Sequence, residues 1–503
     1  RMLAMFHFRN LVALLAAVVL PSQAYEPTWE SLDSRPLPQW YDDAKFGIFI
    51  HWGVFSVPAF HTEWFWWVWK GGYDGPEKDS FQKFVEDSEV KNFAYQDYAR
   101  RFTAQLWDPK QWANIFARSG AQYVVLTAKH HEGFRNWDSR SLPHTWNWNA
   151  MDIGPRRDLV GDLAKAVKNT TSPHTQQKLH WGLYHSLFEW YNPLFMEDFN
   201  NNFTTNKFAK DQSIPEMYDL VRKYEPEIIW SDGYSKGHSD YWNVTEFLAW
   251  YVTNSTVNKT AIYNDRWGRD TMCKHGSFRT CQDGYRPKNV SSFKFENCFT
   301  IDKGSWGYNR MAQYDAHQKT VDLVHLLIET VAFNGNLLLN IGPRPDGMIS
   351  PIFQDRLVGI GNWLKVNGEA IFKTKPWSVC QNETKANTFY TTKNNTLYAL
   401  IRQWPEDNKL KLHFPVVTDH TKARMLGVSK ELSFRKVSVT EIGTKNSPVL
   451  ERSLQEDAGK PGMELDLPPL NPATIPCQHA WVVALTGIGN LNATRQDMEI
   501  NTP

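Results

Sequence analysis

The stretch Glu227-Ile-Ile-Trp-Ser-Asp232-Gly233 decides the reading of this chain. A run of β-branched and aromatic residues stops at a carboxylate and then at a glycine. A parallel strand whose carboxy-terminal end carries chemistry has this look. Three further runs end in polar clusters: FGIFIHWG at 46–53, YVVLTAKHH at 123–131 and HWGLYHS at 180–186. Helix-length stretches separate them. Asp108-Pro109 opens one, with Asp as N-cap, Pro at the first helical position, and Trp112, Ile115 and Phe116 as its apolar face. Ser213-Ile-Pro-Glu216 reads as a capping box ahead of a stripe of Met217, Leu220, Val221 and Tyr224. AIYNDRW at 261–267, KFENCFTI at 294–301 and NLLLNIG at 336–342 supply more strands. The alternation predicts an α/β fold, a (β/α)8-like barrel with its active site at the strand carboxy termini.

At 503 residues the chain exceeds one ordinary core. After about Lys375 apolar residues alternate with polar ones, as in KLKLHF (Leu410, Leu412, Phe414) and MELDL (Met463, Leu465, Leu467). Turn residues such as Asn394-Asn395 and Asp407-Asn408 split these segments, which predicts a carboxy-terminal antiparallel β-sandwich. The expected organisation is therefore a signal peptide over 1–24, a catalytic barrel over 25–374 and a sandwich over 375–503. The signal reading rests on Arg1 and Arg9, the apolar stretch Leu11 to Leu20, and small residues at Ser22 and Ala24. No other apolar run reaches ~18 residues, so no membrane span is expected. Nine Asn-x-Ser/Thr sequons fit passage through the secretory pathway, to a lysosomal or secreted destination. Among five cysteines, Cys273 and Cys281 are close enough to staple one loop, and the absence of CxxC argues against a zinc-thiolate site. With 55 basic and 54 acidic residues and no basic stripe, nucleic acid is not an expected partner. The 23 tryptophans suit either a heavy aromatic core or stacking on the C–H faces of sugars.

Asp232 is the first candidate nucleophile, because a carboxylate at a strand end is rigidly held and partly desolvated. Histidines His51, His130, His131 and His185 gather at the other strand ends. Zinc barrel hydrolases use such histidines, but their usual first-strand pair separated by one residue is missing at His51-Trp52-Gly53. Adjacent His130 and His131 point to opposite faces unless the strand ends between them. Hydrogen bonding to substrate hydroxyls is the better reading, and no metal or other cofactor is expected. Glu63 and Trp64 in EWFWWVW offer an acceptor beside an aromatic platform, while Arg266 can steady a carboxylate or a hydroxyl.

FGIFIHWG, EWFWW, TAKHHEGF, IIWSDG, NDRWG and NLLLNIGP together resemble the α-L-fucosidases of glycoside hydrolase family 29, in their animal tissue (lysosomal) form. The resemblance runs from about Pro27 to Gly487. It implies a barrel followed by a sandwich, and a retaining exo-hydrolase that removes terminal α-L-fucose from fucosylated glycans without cofactor, as a homo-oligomer. By motif, Asp232 stands where the nucleophile stands, and His51, Glu63, Trp64, His130, His131, Tyr184, Trp230 and Arg266 where fucose is held. The residues after Asp232, Gly233-Tyr234-Ser235, depart from the family's acidic-aromatic continuation. Two acid/base candidates remain open: Asp283, in the loop the two cysteines brace, and Glu296, beside Phe295 in the sixth strand. The alternative from another class is a fucose-binding, non-hydrolysing lectin on the same fold.

Overall fold

The structure, a computed structural model, describes residues 24–72, 77–144, 147–438 and 461–493. Residues 1–23, nearly all of the segment read as a signal peptide, lie outside them. Seven parallel strands form one curled sheet: β1 (Phe46–Ile50), β2 (Tyr123–Lys129), β3 (His180–Ser186), β4 (Ile228–Asp232), β5 (Ile262–Tyr263), β6 (Phe295–Thr300) and β7 (Gly335–Ile341). Their order is β5-β4-β3-β2-β1-β7-β6. β1, β2 and β7 are buried along their whole length, which is why their runs are continuously apolar rather than alternating.

The edge strands β5 and β6 are linked by residues 277–280 in place of an eighth strand. Ser277 N donates to Tyr263 O at 3.0 Å, Arg279 N to Lys294 O at 3.0 Å, and Glu296 N to Arg279 O at 2.9 Å. A Cys273–Cys281 disulfide closes the loop that carries this segment. The expected strand at 261–267 is correspondingly cut to two residues. Asp265 turns away to accept from the backbone N–H groups of Cys273, Thr280 and Cys281, so its segment serves the loop rather than the sheet.

The helix Pro109–Ser119 forms as its signals predict, with Asp108 accepting from the N–H groups of Lys110 and Gln111. The capping box at Ser213 does not form. Ser213 is itself helical, at the end of the wide turn Ala209–Ser213, and caps nothing. Glu216 instead points inward, to Lys129 at 2.7 Å, Arg135 at 2.7 Å and His185 at 2.9 Å. Two buried cations left with Glu189 as their one carboxylate would cost more than a cap is worth.

Beyond Lys375 all pairing is antiparallel, in a six-stranded and a three-stranded sheet. Leu410, Leu412, Met463, Leu465 and Leu467 are buried between them, as the alternation predicts. Asn394 and Asn395 both take positive φ in a two-residue turn that pairs Lys393 with Thr396. This sheet unit is seated on the barrel's last two long helices: Trp363 Nε1 donates to Ala480 O at 2.9 Å, and His325 meets His479 O at 2.9 Å. No described helix is long and apolar enough to cross a membrane.

Candidate active site

A cavity of about 200 Å³ opens at the carboxy-terminal ends of the barrel strands. His51, Glu63, Trp64, His130, His131, Tyr184, Trp230, Asp232, Arg266 and Asp283 all line it. Ten of the twelve residues picked from the sequence thus converge on one pocket, from the ends of β1 to β5 and the loops beyond them; Glu296 does not, nor does His185, which is turned to Glu216 at 2.9 Å.

Asp232 ends β4, and Gly233 then turns the chain with φ +90°; a Cβ there would meet the Phe188 ring at 2.5 Å. Tyr184 Oη donates to Asp232 Oδ2 at 2.9 Å, and His131 Nε2 lies 3.6 Å from the same oxygen. On the other side Arg266 Nη1 is 3.6 Å from Oδ1. The guanidinium lies 4.6 Å from the Trp230 ring centroid, donates through Nε to Thr280 Oγ1 at 2.8 Å, and through Nη2 to Asp283 Oδ1 at 2.5 Å. Burial works against its charge, but Asp283, Cys298 and Asp232 keep Arg266 protonated well above its ordinary range.

His51 and His131 are held as neutral acceptors. Burial, reinforced by His130, lowers the His51 pKa to about 3. Its Nδ1 is 2.7 Å from Asn340 Oδ1, which leaves Nε2 a lone pair. β2 ends at Lys129, so His130 and His131 are released from strand geometry and both reach the pocket. Burial, then His130 and His51, push His131 well down as well. Its Nδ1 meets Ser186 Oγ at 2.7 Å, and that hydroxyl donates onward to Phe188 O.

Glu63 is pinned by one oxygen. Ser305 Oγ at 3.1 Å, Trp306 N at 2.9 Å and Gly307 N at 3.3 Å all donate to Oε2. Of the tryptophans in EWFWWVW, Trp64 alone lines the pocket, on its rim at 37% exposure. Trp66 stacks on Tyr95 at 4.7 Å and Trp67 packs on Trp190 at 5.8 Å, so these are core residues.

The two acid/base candidates part company. The Asp283 side chain is 52% exposed at the pocket wall. Burial pushes its pKa up, but Arg266, helped by the Cys298 thiol at 3.4 Å, holds it below the usual carboxylate value. Glu296 is fully buried and is not brought to the cavity wall. Tyr41 Oη and Tyr123 Oη each donate to its Oε2 at 2.7 Å, and Trp230 Nε1 to its Oε1 at 2.9 Å. Burial raises its pKa to about 7 against those three bonds. On β6 it precedes Cys298 by one inward-facing step, about 7 Å deeper in the barrel. Among the described residues no three His, Cys, Asp or Glu side chains are grouped as metal ligands.

Sequence reasoning passed over Phe49, Phe188 and Trp306, which also line the pocket. Phe188 and Trp306 follow β3 and β6 by a few residues, and an aromatic just past a strand end is the signal that marks them.

Fold and pocket define a class first: a barrel glycoside hydrolase, with three carboxylates, Glu63, Asp232 and Asp283, on the wall of an aromatic-lined cavity sized for one sugar ring. Residues 12–369 match the family model described as alpha-L-fucosidase, and 381–486 the alpha-L-fucosidase C-terminal domain. The chain is 45% identical over 482 residues to an alpha-L-fucosidase of Branchiostoma floridae, covering 95% of this chain and 99% of that one. It is 44% identical over 469 residues to the human tissue alpha-L-fucosidase, covering 93% of each. The crystal structure of the Thermotoga maritima alpha-fucosidase in complex with fucose matches it with a TM-score of 0.72 at 30% identity, over 92% of this chain and 100% of that one. The chain belongs to the α-L-fucosidase family of glycoside hydrolases.

Proposed function

We propose that this chain removes terminal α-L-fucose from glycans by a retaining mechanism, with Asp232 as nucleophile and Asp283 as acid/base. One observation carries the assignment: a single guanidinium, Arg266, holds both carboxylates on the wall of one small pocket. Asp232 attacks the anomeric carbon as Asp283 gives its proton to the departing glycosidic oxygen. Asp283, now ionised, takes a proton from water, which attacks the same carbon, releases fucose and restores both groups. Geometry ranks ahead of pKa in choosing an acid. Glu296 has the higher pKa, but its carboxylate is filled by three donors a layer below the pocket, so its role is to hold Trp230 and two tyrosines. Asp283 has access, and its depressed pKa favours turnover at acidic pH, where it is protonated.

Fucose offers three hydroxyls and a methyl group. Neutral His51 and His131 accept from hydroxyls, Glu63 Oε1 accepts another, and Phe49, Trp230 and Trp306 wall the methyl group and ring. His130, Tyr184 and Trp64 complete the contacts. The pair Asp232 and Asp283, both facing Arg266 on the pocket wall, favours hydrolysis over the lectin alternative. We place the catalytic unit at 25–374 and the sandwich at 375–503, supported by the switch from parallel to antiparallel pairing. Sequons and signal pattern support a lysosomal or secreted location, and the homo-oligomer reading rests on family resemblance alone.

Azide separates the roles. With an aryl α-L-fucoside, Asp283→Ala plus azide should yield α-fucosyl azide, and Asp232→Gly plus azide the β-anomer, read by proton NMR. Glu296→Gln should show no azide product. Azide product of retained configuration from Glu296→Gln alone would transfer the acid/base role to it.

A further inference from the structure

A pocket holding one sugar ring leaves the rest of a glycan outside it. Across one wall lies a second and larger cavity, of about 900 Å³, built by the loops that follow β3, β4 and β5. It falls in the range of ~300–1,000 Å³ typical of ligand sites. The shared wall is the turn after the nucleophile: Tyr234 and Ser235 line the catalytic pocket, and Gly237 and His238 line the groove. One residue, Lys236, separates Ser235 from Gly237, a reach of about 7 Å. The wall is tied from the groove side, by Arg269 Nε donating to Ser235 O at 2.7 Å and Trp242 Nε1 to Lys236 O at 2.7 Å. A file of aromatic rings runs between the two cavities. Phe188, in the pocket, stacks on Phe195 at 5.5 Å, which meets Phe199, on the groove, at 6.1 Å.

The chemistry of the groove is that of a sugar site. Phe199, Phe203 and Tyr241 give it an aromatic side, with Phe199 still 38% exposed. Arg269, His238 and Asp240 give it donors and an acceptor. Aromatic faces pack on sugar C–H faces, and fork-like guanidinium donors bind hydroxyls or carboxylates.

We propose that this groove binds the oligosaccharide that carries the scissile fucose, two or more sugars beyond the leaving oxygen, and sets a preference for long glycans over simple fucosides. The departure of Gly233-Tyr234-Ser235 from the family pattern falls on the wall between the two cavities. The inference rests on the fucosidase reading above and adds to it where the leaving group lies. A competing occupant is built into the chain, since Asn202-Phe203-Thr204 is a sequon whose residues line the groove.

The test compares kcat/KM on nitrophenyl α-L-fucoside with that on a labelled, terminally fucosylated tetrasaccharide, for the full chain and for the groove variants Phe199→Ala and Asp240→Ala, and for Asn202→Gln. Both groove variants should hold the nitrophenyl rate within about twofold and lose about tenfold on the tetrasaccharide, chiefly in KM. Equal losses on both substrates, or none on the tetrasaccharide, would overturn the inference. So would an Asn202→Gln protein that alone gains tetrasaccharide turnover, because the chain's own glycan would then fill the groove. An unsubstituted protein inactive on the nitrophenyl fucoside would overturn the fucosidase reading itself, and this inference with it.

Discussion

Arg266 organises the chemistry, because one cation serves two carboxylates with opposite tasks. It faces Asp232, the proposed nucleophile, at 3.6 Å; bound to Asp283, it favours ionisation of the group proposed to donate. The Cys298 thiol adds to this effect. Burial lifts that thiol well above its ordinary pKa, so it stays protonated and donates to Asp283 Oδ1. Removing it should let the Asp283 pKa rise. For Cys298→Ala, the alkaline limb of kcat/KM on a substrate with a poor leaving group should move upward by roughly a few tenths of a pH unit. An unchanged limb would mean that the thiol only fills space. The sign follows from the proposed acid role: in it Asp283 acts when protonated, so a higher pKa extends activity toward neutral pH.

The loop 130–135 carries two pocket histidines, and its rigidity comes from underneath. Lys129 and Arg135 flank it, and both cations are fully buried against Glu189 and Glu216. Against burial, Arg135 and Lys129 hold the Glu216 pKa far below its ordinary value, so Glu216 stays ionised at acidic pH. Glu216→Gln would leave two buried cations sharing one carboxylate and should cost about 3–5 kcal/mol of stability. Urea denaturation measures this, and a loss below about 1 kcal/mol would show the cluster relaxing at little cost. The same residue marks a limit of sequence reading. Glu216 three places after Ser213 has the spacing of a capping box, and only the tertiary partners Lys129 and Arg135 redirect it inward. Strands β1, β2, β4 and β7 were legible because burial on both faces writes a mainly apolar run, whereas β6 buries Glu296 and Asn297 and left a weaker signal. β5 was over-read, since Asp265 serves a disulfide loop whose path no local pattern encodes. Asp232 was legible as a strand-end carboxylate, whereas Asp283 and Glu296 could be ranked only once the closure of the barrel fixed which layer each occupies.

The molecule joins a closed parallel sheet to an antiparallel unit, and segment 277–280 both closes the barrel and leads directly to Asp283. Barrel closure and presentation of the proposed acid are therefore one structural event, with the Cys273–Cys281 disulfide holding it. The groove beyond the Tyr234 wall sits on the same face, so a single surface reads the fucose and the glycan behind it. All of this depends on a covalent fucosyl-enzyme formed at Asp232. The direct measurement is to inactivate the full-length protein with a 2-fluoro-fucosyl fluoride, which forms the intermediate faster than it hydrolyses, and to follow intact mass and then peptides. The account predicts one fucosyl unit per chain, on Asp232, with activity lost in parallel. A label on another residue, or full turnover with none, would contradict it.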